Sequence, residues 1–214
     1  MQNNGKIMAM NISSQQRFET ALASFDALNK LDPNTEIVDG RPYPKELLYA
    51  ERMSAMLSRF APDASQALQL AARCQHIQRW KIARSSYPMT KAGYHQWRNE
   101  LKAFHAGIAR EVLAEAGYDE LMIARVCALV TKAALHTDAE AKTLEDVVVL
   151  VFLESYLEPF VTSHSDYDTE KFLDILNKTL RKTSLKARQA ALSMIDIAPS
   201  FRPLLEQLIA EMDA

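Results

Sequence analysis

Apolar residues recur along this chain mostly three and four positions apart, the spacing that lines one side of a helix. Phe18, Leu22, Phe25 and Leu28 form the first such stripe, preceded by Ser13 and Ser14 and followed by Asp32-Pro33-Asn34. A serine cap and a proline stop predict a helix to about Leu31. A loop through Asp39-Gly40-Arg41-Pro42 then leads to Pro44, a residue favoured at the start of a helix. Leu48, Met53, Met56, Leu57 and Phe60 carry this second helix to about Phe60. Asp63, with Gln66 three residues on, reads as a capping box opening a third helix from Ala64 to about Ala83.

The third helix is unusual. From Ala64 to Gln78 its only formal charge is Arg73. A helix so poor in charge is expected to be buried on most sides. Ala67, Leu70, Cys74 and Ile77 fall on one side at 100° per residue, and Arg73, His76 and Trp80 on the other. Pro88 interrupts the pattern. Thr90 then caps a long fourth helix with the stripe Trp97, Leu101, Phe104, Ile108 and Val112, ending at Gly117. Asp119 starts a fifth helix, to about Leu135. His136 to Lys142 reads as a polar connection, and Thr143 as the start of a sixth helix that Pro159 ends. Glu145 and Asp146 are then expected in its first turn. Asp168, Ser184 and Ser200 open three more. The expected fold is all-α: one helical bundle of about eight or nine helices over residues 13–214, behind a flexible leader, 1–12.

Composition narrows the class. The chain has 214 residues, 48% hydrophobic and 24% charged, which is ordinary for a soluble globular protein. Only five glycines occur, and no Asn-Gly, so β-hairpins are not expected. Cys74 and Cys127 lack metal-binding spacing and read as reduced thiols of a cytoplasmic protein. The longest apolar run, Val147 to Leu153, is far too short to span a bilayer.

Charge changes the picture at one place. Between Arg73 and His105 lie seven Lys/Arg against a single acid, Glu100, in a chain of net charge −2. Both tryptophans and three of the five histidines lie in the same stretch. Arginines and lysines interleaved with aromatic rings suit a phosphate-bearing ligand. Arg73, Arg79, Trp80, Arg84, Lys91, Tyr94, Trp97, Arg98 and Lys102 are the candidate ligand-binding residues. The chain contains no glycine-rich nucleotide motif, no C-x-x-C and no H-E-x-x-H. His76, His105 and Asp146 are the candidate catalytic groups. His76, His105, Glu145 and Asp146 would be the ligands of a divalent transition metal. Each of these residues also has an ordinary reading, as a packing histidine or a helix-dipole acid.

Several words carry a resemblance. P-K-E-L-L-Y-A-E-R-M at 44–53, A-P-D-A-S at 61–65, H-I-Q-R-W at 76–80, S-S-Y-P-M-T-K-A-G-Y at 85–94, W-R-N-E-L-K-A-F-H-A at 97–106 and L-E-D-V-V-V-L-V-F-L-E at 144–154 resemble the domain-of-unknown-function 4202 family. That resemblance covers roughly residues 15–185 and implies a soluble protein. A-A-R-C-Q-H-I-Q at 71–78 is similar in outline to the metal-binding helix of His-Asp phosphohydrolases. Gln75 stands there where that superfamily has His, and His76 where it has Asp. The implied reading is a metal-assisted hydrolase acting on a phosphate-bearing small molecule or nucleotide. An RNA- or nucleotide-binding module and a helical interaction protein are the alternatives. No membrane partner is expected. The spacing further predicts that His76 and His105 face one cleft, closed by Glu145 or Asp146.

Overall fold

The structure is a computed structural model that describes residues 13–213, and the leader expected at 1–12 lies outside them. Ten α-helices and one short hairpin make it up among these residues. Helix α1 (Ser14–Asn29) begins at a capping box. The Ser13 hydroxyl accepts from the Gln16 amide, and the Gln16 side chain accepts from the Ser13 amide. Strands β1 (Thr35–Val38) and β2 (Arg41–Pro44) then form an antiparallel hairpin, with Val38 opposite Arg41. This corrects the purely helical expectation. Asp39 and Gly40 both take positive φ, 49° and 74°, as a tight two-residue hairpin turn requires. Asp-Gly does here what Asn-Gly commonly does.

Helix α2 (Lys45–Phe60) follows directly. Its start is held by Asp32, whose carboxylate accepts from the amides of Asn34 and Glu46. Helix α3 spans Gln66–Cys74, capped by Ser65 and not by Asp63. It stops nine residues earlier than its sequence pattern suggests. The chain turns sharply at Gln78, which has φ 51° and whose amide donates to the buried Asn29 side chain. Short 3₁₀ turns at Arg79–Lys81 and Arg84–Ser86 lead to α4 (Lys91–Glu115), capped by Thr90. Gly93 is required there, because a Cβ at that position would lie 2.2 Å from the Pro88 carbonyl oxygen.

Helix α4 closes in a Schellman turn at Gly117, with Tyr118 donating to Leu113. Helix α5 (Glu120–Thr131) starts at Asp119. Helix α6 (Ala139–Val151) begins four residues before Thr143, because the Asp138 carboxylate caps it through the amides of Glu140 and Ala141. Ala-Glu-Ala-Lys is strongly helix-favouring, so the apparent connection is the first turn. Glu145 and Asp146 therefore sit mid-helix. A π-helical turn (Phe152–Tyr156) passes into α7 (Leu157–Ser163), and Pro159 lies in its first turn and ends nothing. Helices α8 (Thr169–Leu180), α9 (Leu185–Ser193) and α10 (Arg202–Asp213) complete the chain.

Helix α3 sits in the middle, touching α1, α2, α5 and α6. Its charge-poor sequence matches that position: Ala67, Leu68, Leu70, Ala71, Ala72 and Cys74 are all buried. One continuous apolar cluster runs from Ala21 on α1 to Ile209 on α10. No helix of the described residues is long and apolar enough to cross a membrane.

Candidate functional site

The end of α3 is where chemistry collects. Past Cys74 the chain no longer follows the helix, and Gln75 to Arg79 point toward three neighbours. These are the middle of α4, the end of α5 and the start of α2. Gln75, His76, Arg79, Arg98, Leu101, Lys102, His105, Val130 and Lys132 line a narrow cleft. As the side chains stand, its free space is about 10 Å³, enough for roughly one water. His76 and Arg79 also border a second, wider cavity of about 250 Å³ with Lys45, Glu46, Tyr49, Val148, Phe152 and Tyr156.

His105 is the best-defined group. Its ring is 2% exposed, and its Nδ1–H donates to the Ile77 carbonyl at 2.7 Å. That contact fixes the tautomer, so Nε2 carries the lone pair. Nε2 is buried and has no hydrogen-bond partner among the described residues, as is also true of Gln75 Oε1 and Tyr49 Oη. Buried polar atoms are nearly always paired, so the two orphans on this cleft, His105 Nε2 and Gln75 Oε1, stand out; Tyr49 borders the wider cavity. Burial pushes the His105 pKa down to about 4, with Arg79 and Arg98 adding to the effect.

His76 lies 6.0 Å from His105, ring centroid to centroid. It stacks on Tyr49 at 4.2 Å with the planes 12° apart. Arg79 approaches its Nε2 at 3.3 Å, and Glu46 Oε2 lies 3.7 Å from its Nδ1. Burial, and then Arg79, hold the His76 pKa well below the usual histidine range. Burial raises Glu46 to about 7, against the pull of Arg79. The Glu46–His76 approach is therefore no ion pair at neutral pH, since the imidazole is uncharged.

Four cations surround these rings. Arg79 stacks over Trp97 at 4.8 Å. Arg98 and Lys102 are half-buried and make no ion pair or hydrogen bond among the described residues. Lys132 adopts φ 58° and pairs with Glu145. Burial would raise Glu145, but the Lys132 ammonium outweighs it and keeps the carboxyl below its ordinary value.

Other sequence candidates lie elsewhere. Arg73 grips Asp26 with two 2.7 Å hydrogen bonds and ties α3 to α1. Arg84 donates to the carbonyls of Tyr87 and Pro88 and so clamps a loop. Lys91 is exposed, Trp80 half-buried, and Tyr94 packs on Trp97 at 5.8 Å. The Trp97 indole N–H donates to Ile82, which makes the ring a structural anchor. Asp146 is removed from the cleft, because its carboxylate accepts from the Ser184 amide and hydroxyl at the start of α9. Among the described residues no group of three His, Cys, Asp or Glu side chains is placed to hold a metal ion. His76, His105, Glu145 and Asp146 do not fit a metal shell: one carboxylate is committed to Lys132 and the other to Ser184.

Glu46, Tyr49, Gln75 and Lys132 belong to the site and were not singled out by charge or spacing. Glu46 and Tyr49 lie within P-K-E-L-L-Y, one of the words carrying the family resemblance. Nothing local marks Lys132.

Fold and site together define a helical protein with a buried His105 and a half-buried His76 beside four cations. The chain belongs to the family described as Domain of unknown function (DUF4202), whose model matches residues 19–205. No curated protein and no solved structure matches it.

Proposed function

We propose that the cleft binds a phosphate-bearing small molecule and that His105 accepts a proton during its hydrolysis. The observation that carries this reading is the His105 ring: anchored at Nδ1, with an unpartnered Nε2, in a cleft that Arg79, Arg98, Lys102 and the Glu145-paired Lys132 also line. The cations balance the charge of a phosphoryl group, and the imidazole is a neutral base near pH 7. In hydrolysis, water oxygen bonds to phosphorus and its proton passes to Nε2. The phosphorus–oxygen bond to the leaving group breaks, and that oxygen takes a proton from solvent water.

An RNA surface is less favoured, since Arg73 and Arg84 are committed inside the fold and the remaining cations converge on a narrow cleft. Entry of a phosphate requires Arg98 and Lys102 to swing outward, which their lack of partners makes easy.

Trp97 lies against Arg79, so ligand binding is expected to change its fluorescence. Arg98→Glu should weaken pyrophosphate binding at least ten-fold, while Arg181→Glu, at the exposed residue that follows α8, should change it less than two-fold. Equal losses from both would mean diffuse attraction and no site.

A further inference from the structure

The 250 Å³ cavity beside His76 is walled differently from the cationic cleft. Phe152 and Tyr156, the first and last residues of the π-helical turn, form one wall with Val148. Tyr49 and Glu46 form the opposite one, on the first turns of α2. An extra residue in a helical turn is a costly feature that recurs at functional sites. Here it brings two aromatic side chains to one cavity. Arg52 caps the far side of Tyr156 at 5.0 Å from the ring centroid.

We infer that this cavity is a subsite for a planar heteroaromatic ring, so that the full ligand is a nucleoside monophosphate or a compound of that chemistry. The inference rests on the phosphate reading of the adjoining cleft and deepens it. Three arguments support it. Aromatic walls stack on the π-face of any base. The polar groups at the other wall suit a ring edge: the Tyr49 hydroxyl is buried and unpartnered, and the Glu46 carboxyl is nine-tenths buried without a hydrogen bond to its side chain among the described residues. An alkyl chain would leave both unsatisfied, at a cost such groups rarely bear. Finally, His76 and Arg79 line both spaces, so a ring in one and a phosphate in the other would be joined across a single pair of side chains.

The test compares probes on one protein. Inorganic phosphate, ribose 5-phosphate, AMP, GMP, CMP and UMP are titrated by calorimetry against wild type, Val148→Phe and Phe152→Ala. Val148 borders only the aromatic cavity, so phenylalanine there fills it without reaching the cations. At least one nucleoside monophosphate should bind ten-fold or more tightly than ribose 5-phosphate. Both variants should lose that advantage while keeping phosphate affinity within two-fold. If no nucleotide exceeds ribose 5-phosphate on wild type, the ring subsite is overturned and the phosphate site stands. If the nucleotide advantage survives in both variants, the ring lies elsewhere and the assignment is likewise overturned. If nothing binds, inorganic phosphate included, the phosphate site falls and the ring subsite with it.

Discussion

Glu46 and His105 have protonation behaviour shifted in opposite directions, and each has a stated consequence for stability. Glu46 is raised from near 4.5 to about 7. Its contribution is fully present below about pH 4.5 and is lost as pH rises through 7. Glu46→Gln should therefore gain stability relative to wild type between pH 5 and 8, by on the order of 3 kcal/mol at the alkaline end. His105 is lowered from 6.5 to about 4, so its contribution is present above pH 6.5 and is lost as pH falls through 4. His105→Gln should flatten the acid limb of the stability curve over that window. Urea unfolding at several pH values checks both, and parallel curves for wild type and variants would refute the shifts. At this scale sequence supplied the histidines, Arg79, Arg98 and Lys102. Glu46 was harder to see, because its role depends on desolvation by residues far along the chain.

Elements are where local rules worked and where they stopped. Ser13, Thr90, Asp119, Asp168 and Ser184 all cap the helices their positions suggested. Each cap is a contact within three residues, so sequence carries it. The end of α3 is different. Its turn at Gln78 depends on Asn29, 49 residues away, and no local signal marks a glutamine that takes positive φ. Asn29→Ala should leave that amide unpaired, cost about 1–3 kcal/mol in urea unfolding, and weaken anion binding as His76 and Arg79 loosen. The turn after α5 tells a similar story. Lys132 occupies the position where glycine usually closes a Schellman turn, with Ala133 donating to Ala128. A left-handed lysine costs about 1 kcal/mol of strain, which its ammonium's place in the cleft would justify. The double variant Lys132→Gly/Glu145→Gln removes strain and buried pair together. It should unfold at no lower urea concentration than wild type, yet bind pyrophosphate at least ten-fold more weakly. Unchanged binding would assign Lys132 a purely structural role.

At the scale of the whole molecule, the charge-poor α3 was the informative feature. A helix with almost no charge had to be surrounded, and α1, α2, α5 and α6 surround it. That burial places the polar residues just beyond its end in a cleft against α4 and the end of α5. The mostly helical architecture was legible from period and caps; the hairpin escaped because Pro42 and Pro44 argue against a strand after the Asp-Gly turn. The meeting of His76 and His105 was legible from their helix faces; which acids would join them was not, since that is set by long-range packing that spacing does not encode. Asp146 illustrates this: beside Glu145 in sequence, it faces Ser184 and holds α9 in place.

The central claim is that His105 sits in a site built for an anion. Burial keeps this imidazole neutral and the cations add to it, so bringing a phosphate between them should offset the cationic part. NMR titration of the histidine side chains, with and without saturating pyrophosphate, measures this directly. The pKa of His105 should start near 4 and rise by at least one unit when pyrophosphate is bound, with His76 moving in the same direction. If pyrophosphate leaves both histidines where they are, while the four histidine-adjacent cations remain intact, the anion-site account is wrong.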